Sequence, residues 1–551
     1  MLNFSFWIIS IDSKGYLTKQ VKSSSRFAND KIHHEDDIFV ILSDGIILNK
    51  KEIVNSDSML KDYYQGIYSD ISRIKKMVGP FNGLIYNKKE KKGIAFGNQT
   101  GDSSIFYGYD ETRTIYISNN YNEVVKRCNL RRVNTKAAHF LLTYGFYADD
   151  TTIVEGVNRL KAGEYLEFTP EKCETKIYHR FNFHDKISIS MDDAIEQLDV
   201  LFRKAVKRCF EKDLEYGYKY HLADLSAGLD SRMTNVVARE LGFHDIINIS
   251  YSQSGSSEYK YTNQLAQILG NTLYYRPLDD ASFIYDIDDT VKEEFGMAYY
   301  CGITGGRQFL QLIDFSKLGL EHTGQLGDII ISSFFERNER EIDVNTKRNS
   351  TLLPLRYYPE ISDYKSHEEF TFYTRGFQGA LSTHYIRSNY TYAVSPFIDV
   401  PFLEFCASLP DEIRAHHKLY WNWIDCKYPL FGKVPSSRLR MYEGISFKDS
   451  LLMYKERLIG RLRRDTYRIA NKIGLYKTGT SPDNMNPHTY WYETKPELRS
   501  FISGYFNEKI HLLDEYPEIK EDAIRMIGSD SALDKLMAIS MLATVNQYCK
   551  K

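Results

Sequence analysis

No run of this 551-residue chain stays apolar for the roughly 18 residues that a membrane span needs. The opening stretch, "MLNFSFWIISIDSKGY", has a short apolar run but no basic flank and no small-residue cleavage site. It reads as a strand, not as a signal peptide. Charge of one sign is missing too. Lys and Arg number 71 against 73 Asp and Glu, a net of −2, which offers no basic face for nucleic acid. Cysteine is sparse and unpatterned: seven residues, at 128, 173, 209, 301, 406, 426 and 549, with no CxxC pair and no Cys/His cluster. An odd, scattered set points to reduced thiols, not to a disulfide framework or a zinc site. The expectation is a soluble, cytoplasmic protein with no nucleic-acid or membrane partner. Two common phosphate-loop signatures, GxxxxGK[ST] and GxGxxG, are also missing.

What is present is a large globular composition, 42% hydrophobic and 14% aromatic, in a chain long enough for two domains. From Met1 to about Arg180, short runs such as "FSFWIIS", "IFVILSDGIILN", "FNGLIYN", "GIAFGN", "SIFYGYD", "TIYISN" and "GEYLEFT" alternate apolar and polar residues between Gly, Asn and Asp turns. That period of two predicts a mainly antiparallel β-rich domain. "SMLKDYYQGIYSDISRIKKMV" and "NTKAAHFLLTYGFY" interrupt it with helical spacing. Beyond residues 180 to 190 the period changes. The amphipathic helix "SMDDAIEQLDVLFRKAVKRCFEK" is followed by strand "HLADL", helix "SRMTNVVAREL", strand "IINISYS", helix "EYKYTNQLAQILG" and strand "TLYYRPL". Such alternation predicts a doubly wound parallel sheet. From about Phe447 the pattern is mostly helical.

In a doubly wound sheet, ligands sit beyond the carboxyl ends of the strands, where helix N-termini face anions. The turn in "YHLADLSAGLDSRMTNVV" has small residues, Ser226, Ala227 and Gly228, followed by Asp230 and Ser231 at the helix entry. A carboxylate aimed at phosphates repels them unless a divalent cation lies between, so the loop implies Mg²⁺; alternatively, Asp230 or Ser231 simply caps the helix. A second loop, "LEHTGQLGDIIISSFF", repeats the theme with Thr323, Gly324, Gly327 and Asp328. Two such loops could clamp one Mg²⁺–pyrophosphate.

"LSAGLDSR" (Leu225 to Arg232) resembles the SGGLDS pyrophosphate loop of the asparagine synthetase family, and "TGQLGD" resembles its SGEGSDE loop. "SPFIDVPFLEFCASLP" is similar to the VPFLDxxFxxxAxxxP segment, and "RLRMYEG" falls where the family has a Lys six residues before a Gly. "SDGIILNKKEI", "GPFNGLIYN", "GDSSIFYGYDETRTIYISN" and "VNRLKAGEYLEF" resemble a class II glutamine amidotransferase domain. The resemblance implies an α/β chain of two parts. Residues 1–185 would form an N-terminal-nucleophile-like αββα domain, and 186–551 an ATP pyrophosphatase-like synthetase domain with a helical extension. It also implies ATP and Mg²⁺, with Asp230 and Asp328 holding the metal. Ser226, Gly228 and Ser231 would cradle pyrophosphate, and Leu225, Tyr251 and Gly324 would meet the nucleotide. The family's chemistry is adenylation of a carboxylate, then displacement of AMP by an amine; the resemblance leaves room for a homodimer.

Three departures qualify this. The family's glutaminase needs Cys directly after the initiator Met, but residue 2 is Leu and the first Cys is Cys128. Asp44 stands at the oxyanion-hole Asn. Glutamine hydrolysis is therefore not expected, a pattern shared with β-lactam synthetases and lasso-peptide cyclases. Gln325 occupies the position that faces the reacting centre, and Gln can orient a group by hydrogen bonds but cannot act as a general base. Arg438 fills the catalytic Lys position, where Lys433 or Lys448 could substitute, or these bases could form a solvated loop. Arg232 is a candidate for substrate, phosphate or surface pairing, and Glu293 or Glu294 for the synthetase cleft. His221, His322 and Cys301 read as packing residues. The leading expectation is an AMP-forming ligase joining a small-molecule or peptide carboxylate to an amine, either intramolecular or separate. An amidating enzyme of polysaccharide or natural-product biosynthesis and a non-catalytic nucleotide-binding descendant are the alternatives.

Overall fold

The computed structural model describes residues 5–300, 306–332, 341–345, 348–435 and 485–550. Leu2, Cys301, Arg438 and Lys448 lie outside the described residues. The first eleven strands are β1 (Phe6–Ile11), β2 (Leu17–Lys22), β3 (His33–Glu35), β4 (Phe39–Gly45), β5 (Phe81–Asn87), β6 (Lys92–Phe96), β7 (Phe106–Tyr109), β8 (Ile115–Ser118), β9 (Val157–Arg159), β10 (Glu164–Phe168) and β11 (Cys173–Ile177). They form two antiparallel sheets, ordered β2-β1-β8-β7-β9 and β11-β10-β6-β5-β4-β3.

The alternation of side chains along each strand sets the layers. Trp7, Ile9 and Ile11 of β1 share a core with Val40 and Leu42 of β4 and with Leu84 and Tyr86 of β5, so the sheets face each other. The intervening residues point outward. Ile41 and Ile85 meet Leu60, Tyr64 and Ile67 of helix Leu60–Ile67, spaced at i, i+4 and i+7. Phe6 and Ile8 meet Tyr121, Val124, Val125 and Cys128 of helix Tyr121–Cys128. The order is helix, sheet, sheet, helix. The last helix, Ala532–Tyr548, enters this same outer core from the far end of the chain, so the N-terminal layers are not closed by local sequence alone.

The helix beginning "SMDDAIE" runs Met191–Glu215, and its N-cap Ser190 Oγ accepts from Asp193 N at 3.1 Å. Five parallel strands follow: β12 (Tyr220–Asp224), β13 (Ile246–Ser252), β14 (Thr272–Pro277), β15 (Leu318–His322) and β16 (Ala393–Val394), ordered β14-β13-β12-β15-β16. The order reverses between β12 and β15, which makes the gap beyond their carboxyl ends a topological switch point. Buried amides fix those ends. Asn235 Nδ2 donates to Asp224 O at 2.9 Å, and Asn248 Nδ2 donates to Ala223 O at 3.1 Å and to Asn235 Oδ1 at 2.7 Å. No helix among the described residues is long and apolar enough to cross a membrane.

Candidate functional site at the switch point

β12 ends at Asp224, and the turn Leu225–Leu229 leads into helix Asp230–Glu240. β15 ends at His322, and Thr323–Leu326 leads into helix Gly327–Ser332. Nearly a hundred residues apart in sequence, the two turns touch. Thr234 Oγ1 donates to Thr323 O at 3.2 Å. A Cβ on Gly324 would fall 2.5 Å from the Asp230 carbonyl carbon and 2.7 Å from Ser231 Cα; one on Gly327 would fall 2.8 Å from Asp230 Cγ. These glycines are small because another backbone or carboxylate occupies the space.

The cavity between the turns, of about 200 Å³, is lined by Asp224, Leu225, Ser226, Asp230, Ser231, Tyr251, Gly324 and Gln325, closed by Ile249, Ser250 and Met485. It thus brings together seven of the residues singled out from sequence. Gly228 lies on the same turn behind Ser226, its N–H donating to Ser226 Oγ at 3.2 Å. Asp328 stands half-buried in the first turn of its helix. The Tyr420 hydroxyl donates to Asp230 Oδ1 at 3.0 Å. Burial, then the Asp230 and Asp328 carboxylates, keep that phenol protonated well above its ordinary range. Asp230 lines the cavity and Asp328 does not; each offers the hard carboxylate oxygen that divalent cations take.

The turn is not an open cradle. Ser226 N donates to Ser231 Oγ at 2.8 Å, and Ala227 N to Glu258 Oε1 at 2.6 Å. An anion bound to those amides would have to displace these oxygens, and the Ser231 hydroxyl can swing aside by rotation about χ1. Gln325 Nε2 donates to Thr383 Oγ1 at 2.5 Å, while its buried Oε1 has no partner.

Other candidates lie elsewhere. Lys433 is exposed on the turn after helix Pro429–Gly432 and does not line the cavity. Arg232 faces neither solvent nor cavity. It is fully buried and donates to the carbonyls of Ala227 (2.9 Å), Phe431 (2.9 Å), Val434 (2.8 Å) and Pro435 (2.9 Å), tying the 431–435 segment to the turn. Nothing in the sequence around it, Ser231 before and Met233 after, marks it as buried. Glu293 pairs with Arg307 at 2.9 Å, and Glu294 is buried against Ala298 N. His221 Nδ1 and His322 Nε2 lie 2.6 and 2.8 Å from Asp213 Oδ2. Among the described residues these three donors are near enough together to hold an ion. Both contacts, though, have hydrogen-bond lengths, and Asp213 Oδ1 accepts from Leu320 N at 2.7 Å, so the group reads as a closed, buried hydrogen-bonded triad.

In the N-terminal layers, Asp44 is buried and saturated. Its Oδ1 accepts from Ser5 Oγ at 2.8 Å and from Tyr392 OH at 2.9 Å, and Lys31 Nζ lies 3.5 Å away. Burial pushes the Cys128 thiol up to about 12, far from a reactive thiolate.

No family model matches the chain, and no curated protein matches it. Among solved structures, weak likenesses link it to a glutamine phosphoribosylpyrophosphate amidotransferase of B. subtilis (10% identity, 49% of this chain and 84% of that one, TM-score 0.23). Others link it to an NH3-dependent NAD synthetase of Campylobacter jejuni (14% identity, 27% and 62%, TM-score 0.20) and an NMN synthetase of Francisella tularensis (11% identity, 27% and 60%, TM-score 0.19).

Proposed function

We propose that this protein is an ATP-dependent, AMP-forming carbon–nitrogen ligase that adenylates a substrate carboxylate and passes the acyl group to an amine, without glutaminase activity. The observation that carries the reading is the meeting of two Asp-bearing turns, Leu225–Asp230 and Thr323–Asp328, at the switch point of a parallel sheet. In this reading Asp230 and Asp328 hold Mg²⁺, which neutralises pyrophosphate as it departs. Ser226, Gly228 and Ser231 meet the phosphates, and Leu225, Tyr251 and Gly324 meet the nucleoside. Gln325, braced by Thr383, orients the acyl group or amine beside them. Arg438, in the family's catalytic Lys position, is proposed to stabilise phosphate charge; the exposed Lys433 is the weaker choice. The layers within 1–185 are read as an amidotransferase-like domain that has lost its nucleophile, and 186–551 as the synthetase domain. The replacement of an amide by Asp44, whose Oδ1 is taken up by Ser5 and Tyr392, supports the loss.

The test is to incubate the full chain with ATP, Mg²⁺ and a panel of amino-acid and peptide carboxylates. Carboxylate-dependent AMP and pyrophosphate, abolished in Asp230→Ala and Asp328→Ala, is the expected result. Release of ADP and phosphate would sink the proposal.

A further inference from the structure

Forming an amide from an amine requires a group that takes the nitrogen's proton. Gln325 has no basic atom for this, and an Arg stays charged. Tyr251 also lines the cavity, but burial holds its phenol protonated. One further carboxyl lines the same cavity. Asp224, the last residue of β12, has Oδ2 3.2 Å from Arg387 Nη2, while Oδ1 has no partner.

The surroundings of Asp224 differ from an ordinary ion pair. Glu321 of the adjacent strand β15 pairs in register with Leu222, and Asp224 lies two residues further on, so both acids point to one face of the sheet. Glu321 is buried; its Oε1 accepts from Arg387 Nε at 2.8 Å and its Oε2 has no partner. Arg387 belongs to helix Thr383–Arg387, whose first residue holds Gln325. The helix therefore carries one contact to Gln325 and one to the acid pair, four residues apart on one face. A half-buried and a buried carboxylate share a single guanidinium. The charge count favours one proton on the pair.

We propose that Asp224 is the catalytic proton acceptor for the amine, with Glu321 and Arg387 as the positioning residues that set its readiness. In this step the amine nitrogen bonds to the acyl carbon. The bond from that carbon to the phosphate oxygen of AMP breaks, the oxygen keeps the electron pair, and the N–H proton passes to the Asp224 carboxylate. The inference rests on the ligase function proposed above. Burial first, and then the charge of Glu321, hold the Asp224 carboxyl well above the usual carboxylate range, against the opposing pull of Arg387. Such a group is neutral at low pH and gains its accepting form as pH rises, so amine transfer gains rate with pH through its titration. Glu321, Arg387 and Tyr251 are the titratable and charged groups that face it.

The test separates activation from transfer. Hydroxylamine traps an activated acyl group without needing a base, whereas methylamine needs one. Asp224→Asn should keep hydroxamate formation from ATP and a carboxylate of the panel, but lose transfer to methylamine by about 10²-fold or more. Glu321→Gln removes the neighbouring charge and should move the acid limb of the methylamine profile to lower pH. Equal retention or equal loss of the two reactions in Asp224→Asn overturns the assignment. Should the wild-type protein trap no acyl group at all, the ligase reading is what fails. The carboxyl is then judged without substrate, by a carbon-13 NMR titration that compares wild type, Asp224→Asn and Glu321→Gln. A resonance titrating above the usual carboxylate range and shifted down by Glu321→Gln supports the assignment. Titration in the ordinary range overturns it.

Discussion

Adding one methyl group at Gly324 tests the whole site. Gly324→Ala would place its Cβ 2.5 Å from the Asp230 carbonyl carbon and 2.7 Å from Ser231 Cα, where ordinary contact begins near 3.4 Å. Both neighbours are backbone and cannot rotate away. The turn after β15 and the N-terminus of helix Asp230–Glu240 must therefore separate by roughly 1 Å, because a close-packed interior has no slack to absorb the methyl. Overpacking of this sort costs about 1–3 kcal/mol of stability. The larger effect is on geometry, since a shift of ~1 Å between groups that must act together can cost ~10²-fold in rate. The assay pairs denaturant unfolding with calorimetric titration of ATP·Mg²⁺. The control is Gly255→Ala, whose Cβ meets nothing within 4 Å. Gly324→Ala should stay folded, lose a small part of its stability, and bind ATP·Mg²⁺ at least tenfold more weakly than Gly255→Ala. Matching stability and affinity in the two variants would refute the apposition of the turns.

Arg232→Met removes the donor to four carbonyls, two of them in buried contacts, and should cost about 3 kcal/mol or more by urea unfolding, because hydrogen bonds to a charged group are worth ~1.5–3 kcal/mol each. Burial lowers His179 to about 4 in the fold, against about 6.5 when unfolded, so the unfolded chain binds the proton first as pH falls. Stability should accordingly drop between pH 6.5 and 4, by on the order of 3 kcal/mol, and His179→Gln should flatten that slope in urea titrations. Asp44→Asn places an amide where the amidotransferase resemblance puts the oxyanion hole, yet glutamate release from glutamine should stay at background, since Cys128 is buried and unreactive. Asp44→Ala should cost about 1–3 kcal/mol, because the Tyr392 hydroxyl and Lys31 lose their acceptor.

Much of the parallel sheet was legible because its signals are local. "IINISYS" is β13 without change, and "EYKYTNQLAQILG" is the helix Ser257–Leu269, ended by Gly270 at φ 67°. Ser190 and Asn134 cap the helices Met191–Glu215 and Thr135–Thr143. The segment "SMLKDYYQGIYSDISRIKKMV" came out differently. Its helix stops at Ile67 and a 3₁₀ turn, Ile71–Lys76, follows, with Asp70 accepting from Ser72 N at 3.1 Å in place of a continued helical bond. Short Asp and Ser side chains compete for backbone donors in this way, and periodicity does not register it. Two-residue β16 was not legible at all; it exists only because β15 offers it an edge.

The sequence alone determined what depends on neighbours along the chain: strand and helix periods, the small-residue turns, the acids at helix entries, and the lack of a cysteine that could serve the N-terminal layers. The tertiary structure decided which of these meet. Strand order places Leu225–Asp230 beside Thr323–Asp328 and Asp224 beside Glu321, while packing closes the N-terminal core with a helix that begins at Ala532, buries Arg232, and sets both acids against one guanidinium. The physical reason is that charge, exposure and proton affinity depend on distance in space. A sequence states which acids a chain carries; the fold determines which of them share a cation and which of them face the cavity.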